Sequence, residues 1–316
     1  MTQPGSIVAL AGGVGAARFL AGLVEVVPPR ALTVIVNTGD DASFYGVHVS
    51  PDVDIVLYTL AGVVDRERGY GLAGDSFALV DALGGFGHET WFRLGDRDYA
   101  QCLHRTLRLA AGAGLAAVTD ELRRRWSLEP RVLPMSEGPC PTIVALEGGR
   151  RVHFEEYLAR DGAPDEVCGV DLSAAAAARP APGVLDAIAG ARAVLVCPSN
   201  PVVSIGPIVA LRGVREALSS GAAPVVAVSP LVGGAPVKGP ADRLLRGIGV
   251  EVSVAGVASL YRGWVDGLVI DERDADQEGA VRGLGLATSV VDTLRRDRAA
   301  AARVARAALD LARRLA

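Results

Sequence analysis

The sequence predicts an α/β protein whose sheet is largely parallel and carries helices on both faces. Short apolar and β-branched runs alternate with segments of helical periodicity, an order typical of strand–helix–strand units. Half of the 316 residues are hydrophobic, so the chain can fill a large core. Polar, glycine-rich segments directly follow several of these runs. That pattern predicts ligand binding beyond the carboxyl ends of parallel strands.

Each predicted strand is a short apolar run that ends at a polar or glycine-rich segment. The predicted strands are Ile7–Leu10, Leu32–Val36, Ala193–Cys197, Val225–Ser229, Val252–Ala255 and Leu268–Ile270. Each predicted helix has apolar positions three and four residues apart. The predicted helices are Ala16–Val26, Val53–Val63, Pro207–Leu218, Ala241–Ile248 and Arg295–Leu315.

The middle of the chain interrupts this alternation. It contains two helical stretches, "DYAQCLHRTLRLAAGAG" and "VTDELRRRW", and then "TIVALEGGRRVHF", which predicts a hairpin with Gly148 and Gly149 at its turn. We therefore predict a small, mainly helical insertion at 88–164 within a body formed by 1–87 and 165–316. Such an insertion commonly forms one wall of a substrate cleft.

Composition excludes several classes of function. The net charge of -4 provides no positive surface for nucleic acid or an anionic membrane. The start of the chain lacks the pattern of a secretory leader, and no uninterrupted apolar segment is long enough to span a bilayer. Four scattered cysteines predict reduced packing residues rather than disulfides or a metal site. We expect a cytoplasmic protein that binds small molecules.

The segment "GGVGAAR" joins the first predicted strand to the first helix. Gly12, Gly13 and Gly15 permit positive φ angles and close approach of the backbone to a ligand. The amino terminus of the following helix would direct its free N–H groups and positive dipole end to the same place, which suits a phosphate oxygen. The alternative is a tight turn that binds no ligand.

Three later segments strengthen the prediction of a nucleotide site, because each leaves the end of a predicted strand. They are "NTGDD", "CPSNPVVSIGP" and "SPLVGGAPVKGPADRLL". Together they supply Asn37, Thr38, Ser199, Asn200, Ser204, Gly206, Ser229 and Lys238. Loops that leave the same edge of a sheet can line one crevice of nucleotide size.

Acidic residues follow the second predicted strand. Asp40 and Asp41 are adjacent, and Asp52 and Asp54 come shortly after them. Neighbouring carboxylates close to phosphate repel one another unless a cation lies between them, and Mg²⁺ commonly joins carboxylates to phosphate oxygens. For Asp52 we favour a different role, as the N-cap of a helix after Pro51. Asp54 lies one turn into that helix, where it can face the crevice.

"WFRLGDRD" supplies Arg93 and Arg97, either of which can grip a phosphate or carboxylate with two hydrogen bonds. The alternative for both is a surface ion pair with Asp96 or Asp98. The four histidines share no spacing typical of a triad or a metal site, so none is assigned to catalysis.

Taken in order, these segments resemble the 2-phospho-L-lactate transferase family, the CofD and FbiA type, of coenzyme F420 biosynthesis. The matching segments also include "LGDRDYA", "LPMSEGPCPTIV", "HFEEYL" and "DERD", and they extend from the amino terminus to about Arg273. The resemblance implies a Rossmann-like α/β body with a small helical insertion and a homodimer. It also implies Mg²⁺ and transfer of a phospholactyl or phosphoenolpyruvyl group from a guanosine diphosphate ester to the deazaflavin FO, with release of GMP.

The resemblance also implies roles for individual residues. The glycine turn and the loops "SNPVVSIGP" and "SPLVGGAPVKGP", which follow the third and fourth predicted strands, would hold the guanosine diphosphate. Asp40 and Asp54 would be metal ligands and catalytic groups, with Asp41 a third ligand or a neighbour of one. Asp54 with Arg93 or Arg97 would border the deazaflavin. Lys238 or an arginine would stabilise the departing GMP.

Two other classes of protein share parts of this pattern. An NAD(P)-dependent oxidoreductase would need a third small residue at the start of the helix, where this chain has Arg18. A related branch of the superfamily resembles nucleotide-sugar-binding regulators of cell-wall metabolism. The "GDRD" and "HFEEYL" segments favour the transferase branch.

Overall fold

A seven-stranded sheet forms the centre of the protein in the computed structural model, which describes residues 6–316. In chain order the strands are β1 (Ser6–Ala11), β2 (Leu32–Val36), β3 (Ala42–Phe44), β4 (Val47–Val49), β5 (Arg131–Pro134), β6 (Ile143–Leu146), β7 (Arg151–His153), β8 (Val167–Asp171), β9 (Ala191–Val196), β10 (Val225–Val228), β11 (Leu231–Val232), β12 (Ala235–Pro236), β13 (Gly267–Asp271) and β14 (Ala287–Val291). The central sheet has the order β14–β13–β10–β9–β1–β2–β5, and all its pairs are parallel. The predicted α/β class is confirmed.

Helices alternate with these strands along the chain. They are α1 (Gly13–Leu23), α2 (Pro51–Leu60), α3 (Ala78–Gly85), α4 (Asp96–Ala110), α5 (Leu115–Arg125), α6 (Ser173–Ala177), α7 (Val184–Ala189), α8 (Gly206–Ala210), α9 (Val214–Ser220), α10 (Ala241–Gly247), α11 (Val254–Tyr261), α12 (Glu278–Gly283) and α13 (Arg298–Leu315). Short 3-10 helices span Pro29–Ala31, Glu147–Gly149 and Glu272–Gln277, and π-helical turns span Glu156–Arg160 and Pro201–Ile205. Over residues 6–316, each helix is too short or too polar to cross a membrane.

Both faces of the sheet are covered, as predicted. Successive side chains of a strand point to opposite faces. Ile7 and Ala9 accordingly pack in the apolar core that contains residues of α1, α2 and α13, whereas Val8 and Leu10 pack in the core that contains residues of α8, α10 and α11. A strand buried on both sides must be apolar at every position, which explains the uninterrupted run "IVALA".

The strand order reverses between β1 and β9. From β1 the chain continues through β2 to β5, and it later returns to the other side of β1 through β9, β10, β13 and β14. Residues of α1, which follows β1, pack on one face, and residues of α8, which follows β9, pack on the other. The loops at this reversal are therefore expected to border a crevice at the carboxyl ends of β1 and β9, the place where open α/β sheets bind ligands.

The predicted hairpin is confirmed, since β6 and β7 pair antiparallel around Gly148 and Gly149, both of which have positive φ. A third strand, β8, pairs with the other edge of β6. Part of the predicted insertion at 88–164 nevertheless lies in the central sheet, because β5 pairs with β2. The division into body and insertion stays a prediction, and residues 1–5 of the predicted body lie outside the described residues.

Two predicted elements are wrong. Val252–Ala255 is not a strand, because Ser253 is the N-cap of α11 and its hydroxyl accepts a hydrogen bond from Gly256 N–H at 2.9 Å. The single predicted helix at Pro207–Leu218 is two helices, α8 and α9, separated at Gly213, whose φ is +79°. Four of the five predicted helices, including α10 and α13, are present with bounds shifted by a few residues.

The packing of α1 on α13 depends on a glycine. A Cβ at Gly22 would lie 2.3 Å from the carbonyl carbon of Ala301 and 2.3 Å from the nitrogen of Ala302, both backbone atoms that cannot move independently. Gly22→Ala is therefore expected to lower the free energy of unfolding by about 1–3 kcal/mol, because the two helices must separate. Urea unfolding followed by circular dichroism measures the change.

The matched control is Gly279→Ala in α12, where an added Cβ would have no atom within 4 Å. Alanine favours the helix there, so stability should be unchanged or higher by up to about 1 kcal/mol. An equal loss of stability in both variants would contradict the close packing at Gly22.

Candidate active site at the carboxyl edge of the sheet

The turn after β1 lies against other protein atoms as closely as the backbone allows. A Cβ at Gly12 would lie 2.7 Å from Cβ of Ser204 and 2.8 Å from Oδ2 of Asp52, and one at Gly15 would lie 2.4 Å from the carbonyl oxygen of Pro198. Gly13 has a φ of +72°. These glycines are thus required by the packing of the turn itself, in addition to any role they have toward a ligand.

Asp52 connects this turn to the second strand. Its Oδ1 accepts a hydrogen bond from Gly13 N–H at 2.7 Å, and its Oδ2 accepts one from the Asn37 side-chain amide at 2.9 Å. The predicted N-cap role is wrong, since α2 begins at Pro51 and Asp52 lies within its first turn without a side-chain cap. Burial raises the pKa of Asp52 to about 6, although both hydrogen bonds oppose the rise.

Asp52 belongs to a group of carboxyl groups, Asp40, Asp41, Asp52 and Glu155, which we call the acidic cluster. Burial raises the pKa of Asp40 well above its usual range, and the charges of Asp52, Glu155 and Asp41 raise it further. Burial likewise raises the pKa of Glu155 to about 8, with contributions from the charges of Asp52 and Asp41. The cluster therefore concentrates negative charge that the protein leaves largely uncompensated.

Asp41 has partners that Asp40 lacks. Its Oδ2 accepts a hydrogen bond from the Ser50 hydroxyl at 2.6 Å and lies 3.0 Å from Nε2 of His48. Burial raises the pKa of Asp41, while His48 and Ser50 oppose the rise. One oxygen of Asp41 is therefore used within the protein.

Several oxygens around the cluster have no hydrogen-bond partner among residues 6–316. They are Oδ1 of Asp40, Oδ1 of Asp41, and the hydroxyl oxygens of Thr38 and Thr142. Buried polar atoms are normally paired, so such a group indicates a missing ligand. Mg²⁺ takes oxygen ligands and commonly uses carboxylates, so the acidic cluster offers the type of ligand that this ion prefers. Among residues 6–316, no three of its carboxyl groups have ligand oxygens within 4.8 Å of one another.

Asp54 lies in a different environment from the one predicted. Its carboxylate forms a two-pronged ion pair with the fully buried Arg105, with Nη1–Oδ2 at 3.0 Å and a second contact between Nη2 and Oδ1. The Gln101 amide donates to Oδ1 at 2.7 Å. Asp54 is thus already neutralised by a cation of the protein, and this pairing does not fit its predicted role as a metal ligand.

The predicted trio of Asp40, Asp41 and Asp54 does not converge. Among residues 6–316, one group of three potential metal ligands has its ligand atoms within 4.8 Å of one another. It consists of Asp54, Asp98 and Cys102. Arg105 already occupies this position, since its Nη1 also lies 3.7 Å from the Cys102 sulfur. A second cation there would be repelled by the guanidinium.

Arg93 and Arg97 form surface ion pairs with partners other than those predicted. Arg93 pairs with Asp81 at 2.7 Å, and Nε of Arg97 lies 3.5 Å from Asp75. Arg93 also lies over the Phe77 ring, 4.7 Å from its centroid. Both guanidinium groups are partly exposed, and neither contacts Asp54.

The expected partners of these arginines have other roles. Asp96 accepts hydrogen bonds from the Ser76 hydroxyl at 2.6 Å and from Leu79 N–H at 3.0 Å. Asp98 accepts one from the Tyr58 hydroxyl at 2.7 Å, and burial raises the pKa of Asp98 to about 7. The roles of Arg93 and Arg97 toward a substrate stay predictions.

The loop after β9 supplies polar groups to the crevice. Oδ1 of Asn200 accepts hydrogen bonds from Val202 N–H at 2.9 Å and Val203 N–H at 3.3 Å, and so caps the π-helical turn that brings Ser204 against Gly12. The hydroxyl of Ser199 is buried without a partner in the described part of the chain. Asn200 thus shapes the loop, whereas Ser199 has a free hydrogen-bonding group for a ligand.

The remaining predicted nucleotide-binding residues are divided between structural contacts and the crevice. Ser229 closes a turn by accepting from Leu231 N–H at 3.2 Å, and Gly206 packs under Leu172. Lys238 is exposed, and a Cβ added to Gly69 would lie 2.9 Å from Nζ of Lys238. The same Cβ would lie 4.0 Å from Val14, next to the glycine turn. Lys238 therefore lies close to Gly69, near the first turn of α1, whereas Ser229 and Gly206 hold the loops in shape.

Glu155 and Arg105 are functional or positioning residues that the sequence analysis did not single out. Glu155 lies in "HFEEYL", one of the segments that carry the family resemblance, so that segment was the available signal. Arg105 follows Gln101 by four residues and Cys102 by three on the buried side of α4. A charged residue at an apolar position of a helix indicates a buried partner, but it does not identify that partner.

Comparisons with known proteins identify the family to which this chain belongs. The family described as 2-phospho-L-lactate transferase CofD matches residues 7–307. A Streptomyces coelicolor protein named phosphoenolpyruvate transferase is 46% identical over 311 residues, which cover 97% of this chain and 98% of that protein. A Methanothermobacter thermautotrophicus protein named 2-phospho-L-lactate transferase is 39% identical over 284 residues, 90% of each chain.

A solved structure shares the fold at low identity. It is a Bacillus halodurans protein described as a member of the UPF0052 family, with a TM-score of 0.63 and 20% identity, and the match covers 98% of this chain and 100% of that one. At this identity the similarity supports the α/β architecture alone.

The ion pair of Asp54 and Arg105 yields a test of the corrected assignment. Asp54→Asn is expected to lower the free energy of unfolding by about 3–5 kcal/mol, because it leaves a buried guanidinium without its counter-charge. Arg30→Ala is the matched control, since its pair with Glu129 is exposed at both ends and should contribute no more than about 1 kcal/mol. Similar small losses in both variants, measured by chemical unfolding, would contradict a structural role for Asp54.

Proposed function

Since this chain belongs to the 2-phospho-L-lactate transferase family of coenzyme F420 biosynthesis, we propose that it transfers a phosphorylated three-carbon acid from a guanosine diphosphate ester to the deazaflavin FO. The terminal ribityl hydroxyl of FO is the acceptor, and GMP is the leaving group. The observation that carries the proposal is the acidic cluster, which lies beside the glycine turn at the crevice between β1 and β9.

The three-carbon group we propose is phosphoenolpyruvyl rather than phospholactyl. The Streptomyces relative named for phosphoenolpyruvate is 46% identical across 97% of the chain, whereas the Methanothermobacter relative named for phospholactate is 39% identical across 90%. The difference supports the enolpyruvyl donor, and direct competition between the two guanylylated acids tests it.

Asp40, Asp52 and Glu155 would hold Mg²⁺, with Asp41 at the edge of the site. Their support is Oδ1 of Asp40, which is buried without a partner among residues 6–316, and the burial and mutual repulsion that raise the pKa values of Asp40 and Glu155. When bound, the ion supplies positive charge to the phosphoryl oxygens of the donor. Asp52 is held in place at the sheet edge by hydrogen bonds from Gly13 and Asn37.

The other groups act on the attacking and leaving oxygens. The ribityl oxygen forms a bond to phosphorus as the bond to the GMP oxygen breaks, and Asp40 accepts the hydroxyl proton. Lys238 neutralises the phosphate of departing GMP. Gly13 N–H is used by Asp52, so the phosphates would bind the N–H groups that follow it in the first turn of α1.

Arg93 and Arg97 are the residues we propose for the deazaflavin side. We do not propose this role for Asp54, because the residue is only 4% exposed and its carboxylate pairs with Arg105. The partly exposed guanidinium groups of the two arginines are available to polar groups of an acceptor. By family membership we also propose a cytoplasmic homodimer.

The activity test uses the whole protein with FO, Mg²⁺ and guanylylated phosphoenolpyruvate. Chromatography with mass detection should show one GMP for each phosphorylated deazaflavin, and chelation of the metal should stop both. Asp40→Asn should lower kcat by about 100-fold or more. Asp310→Asn, which changes an exposed carboxylate in α13, is the control and should retain the wild-type rate. Release of GMP without modified deazaflavin, or turnover that survives chelation, would contradict the proposal.

Glu155→Gln separates stability from function. The pKa of Glu155 is higher in the folded protein, about 8, than its usual value of 4.5, so ionisation at pH 8 opposes folding. The metal-free variant should be more stable than wild type at pH 8 by about 1–3 kcal/mol, and equally stable below pH 4, where the carboxyl is protonated in both states. Thermal unfolding at the two pH values measures this.

The same variant should lose the stabilisation that Mg²⁺ gives to the wild type, which is about 2.7 kcal/mol at a concentration 100 times the dissociation constant. The exposed Glu147→Gln is the control and should behave as wild type in both measurements. Equal stabilisation of wild type and Glu155→Gln by Mg²⁺ would remove Glu155 from the metal site.

A further inference from the structure

Asp274 ends the segment "DERD" and is buried in the short 3-10 helix that follows β13. Its Oδ2 accepts a hydrogen bond from Gly233 N–H at 2.9 Å, and its Oδ1 accepts one from Gly234 N–H at 2.7 Å. Both donors are far from Asp274 in the sequence. One carboxylate therefore holds two successive backbone amides of a distant loop, with one oxygen for each.

Gly233 and Gly234 form the turn of the hairpin of β11 and β12, in which Val232 pairs with Ala235. Their φ angles are +62° and +73°, and two successive positive φ angles define the type of turn that suits a two-residue hairpin. The side chain of Arg273 packs beside the turn, since a Cβ on Gly233 would lie 3.8 Å from Cβ of Arg273. The turn is thus attached to the segment that contains Asp274 by hydrogen bonds and by packing.

This hairpin leads directly to Lys238, which follows β12 by two residues and is the only lysine in the sequence. A Cβ on Gly69 would lie 2.9 Å from Nζ of Lys238 and 4.0 Å from Cγ1 of Val14, in the first turn of α1. Gly69 is itself held, because its N–H donates to the Asp65 carbonyl at 2.9 Å. The ammonium group therefore lies between the hairpin and a fixed loop, near the amino terminus of α1.

The carboxylates close to Lys238 along these two loops are paired with arginines. Asp242, four residues after Lys238, pairs with Arg246 at 3.2 Å, and Asp65 pairs with Arg68 at 2.9 Å. Within the part of the chain that the structure describes, Lys238 belongs to no ion pair of its own. Its charge is therefore available to an anion beside the amino terminus of α1.

We propose that Asp274 is a positioning residue for Lys238. Its carboxylate fixes the turn of the hairpin, and the hairpin determines where the ammonium group lies. Lysine has a flexible four-carbon side chain, so its location depends on the backbone that carries it. The proposal rests on the proposed function only for what Lys238 binds, which is the phosphate of the departing GMP.

The position of Lys238 can be measured without any transfer reaction, because the chain has one lysine. Reductive methylation with ¹³C-formaldehyde labels its amine, and the α-amino group, which titrates about two pH units lower, gives a separate resonance. Asp274→Asn should move the Lys238 resonance toward that of free dimethylated lysine. It should also speed hydrogen exchange at Gly233 and Gly234 by about tenfold or more, because an amide has one acceptor oxygen where a carboxylate has two.

Two further variants accompany this measurement. Asp276→Asn is the matched control, because it changes an exposed carboxylate two residues away and should leave the resonance and the exchange rates as in wild type. Asp274→Glu keeps both acceptor oxygens and should fall between wild type and Asp274→Asn. It replaces Asp274→Asn in the experiment if circular dichroism shows that the latter does not fold.

A double-mutant cycle on the transfer reaction tests whether Asp274 acts through Lys238. Asp274→Asn should lower kcat by about tenfold to 100-fold with little change in KM, because a misplaced group costs rate rather than binding. In the Lys238→Ala background the same substitution should change kcat by less than about twofold. Asp276→Asn should retain the wild-type kcat.

Two results would overturn the positioning role. The first is a Lys238 resonance and hairpin exchange rates that are unchanged in Asp274→Asn. The second is a loss of kcat on Asp274→Asn that is equally large with and without Lys238, which would show that Asp274 acts elsewhere. A shifted resonance in a protein that transfers nothing to FO would instead leave the positioning role intact and contradict the proposed function.

Discussion

The hydrogen bonds of Asp52 to Gly13 and Asn37 hold the edge of the sheet together. Through them one carboxylate joins the turn after β1, the end of β2 and the first turn of α2. Gly12 must lack a side chain because the Asp52 carboxylate and Ser204 already occupy the space beside it. One packing arrangement around Asp52 therefore requires the glycine at position 12, fixes the start of α2 and places Asp52 within the acidic cluster.

The protein places similar carboxylates in two different environments. Asp54 is paired with a buried guanidinium, and its negative charge is balanced within the protein. Asp40, Asp52 and Glu155 are also buried, but burial and mutual repulsion raise their pKa values, and no such guanidinium balances them in the structure of residues 6–316. The first arrangement stabilises the fold, and the second is one that a cation from solution would stabilise.

Much of the fold was predictable because its signals are local. The strands β1, β2 and β10 are uninterrupted apolar runs, and the hairpin of β6 and β7 has two glycines at its turn. The edge strands β5 and β14 were missed, because β5 has only four residues and β14 is only half-buried at every position. Ser253 was placed in a strand because its neighbours are valines, although its hydroxyl caps a helix.

The sequence indicated where site residues come together but not which partners they have. Asp40 and Asp41, which were singled out after the second predicted strand, lie in the acidic cluster. Asp52 and Asp54 could not be distinguished by sequence position. Their roles depend on which long-range partner each meets, Gly13 and Asn37 for one and Arg105 for the other.

Diffraction from crystals soaked with Mn²⁺ in place of Mg²⁺ and with GDP tests the central claim most directly. The account predicts an anomalous peak in contact with carboxylate oxygens of Asp40, Asp52 and Glu155, with Asp54 still paired to Arg105. A peak at Asp54, Asp98 and Cys102, or a fully occupied nucleotide with no ion at the acidic cluster, would contradict it.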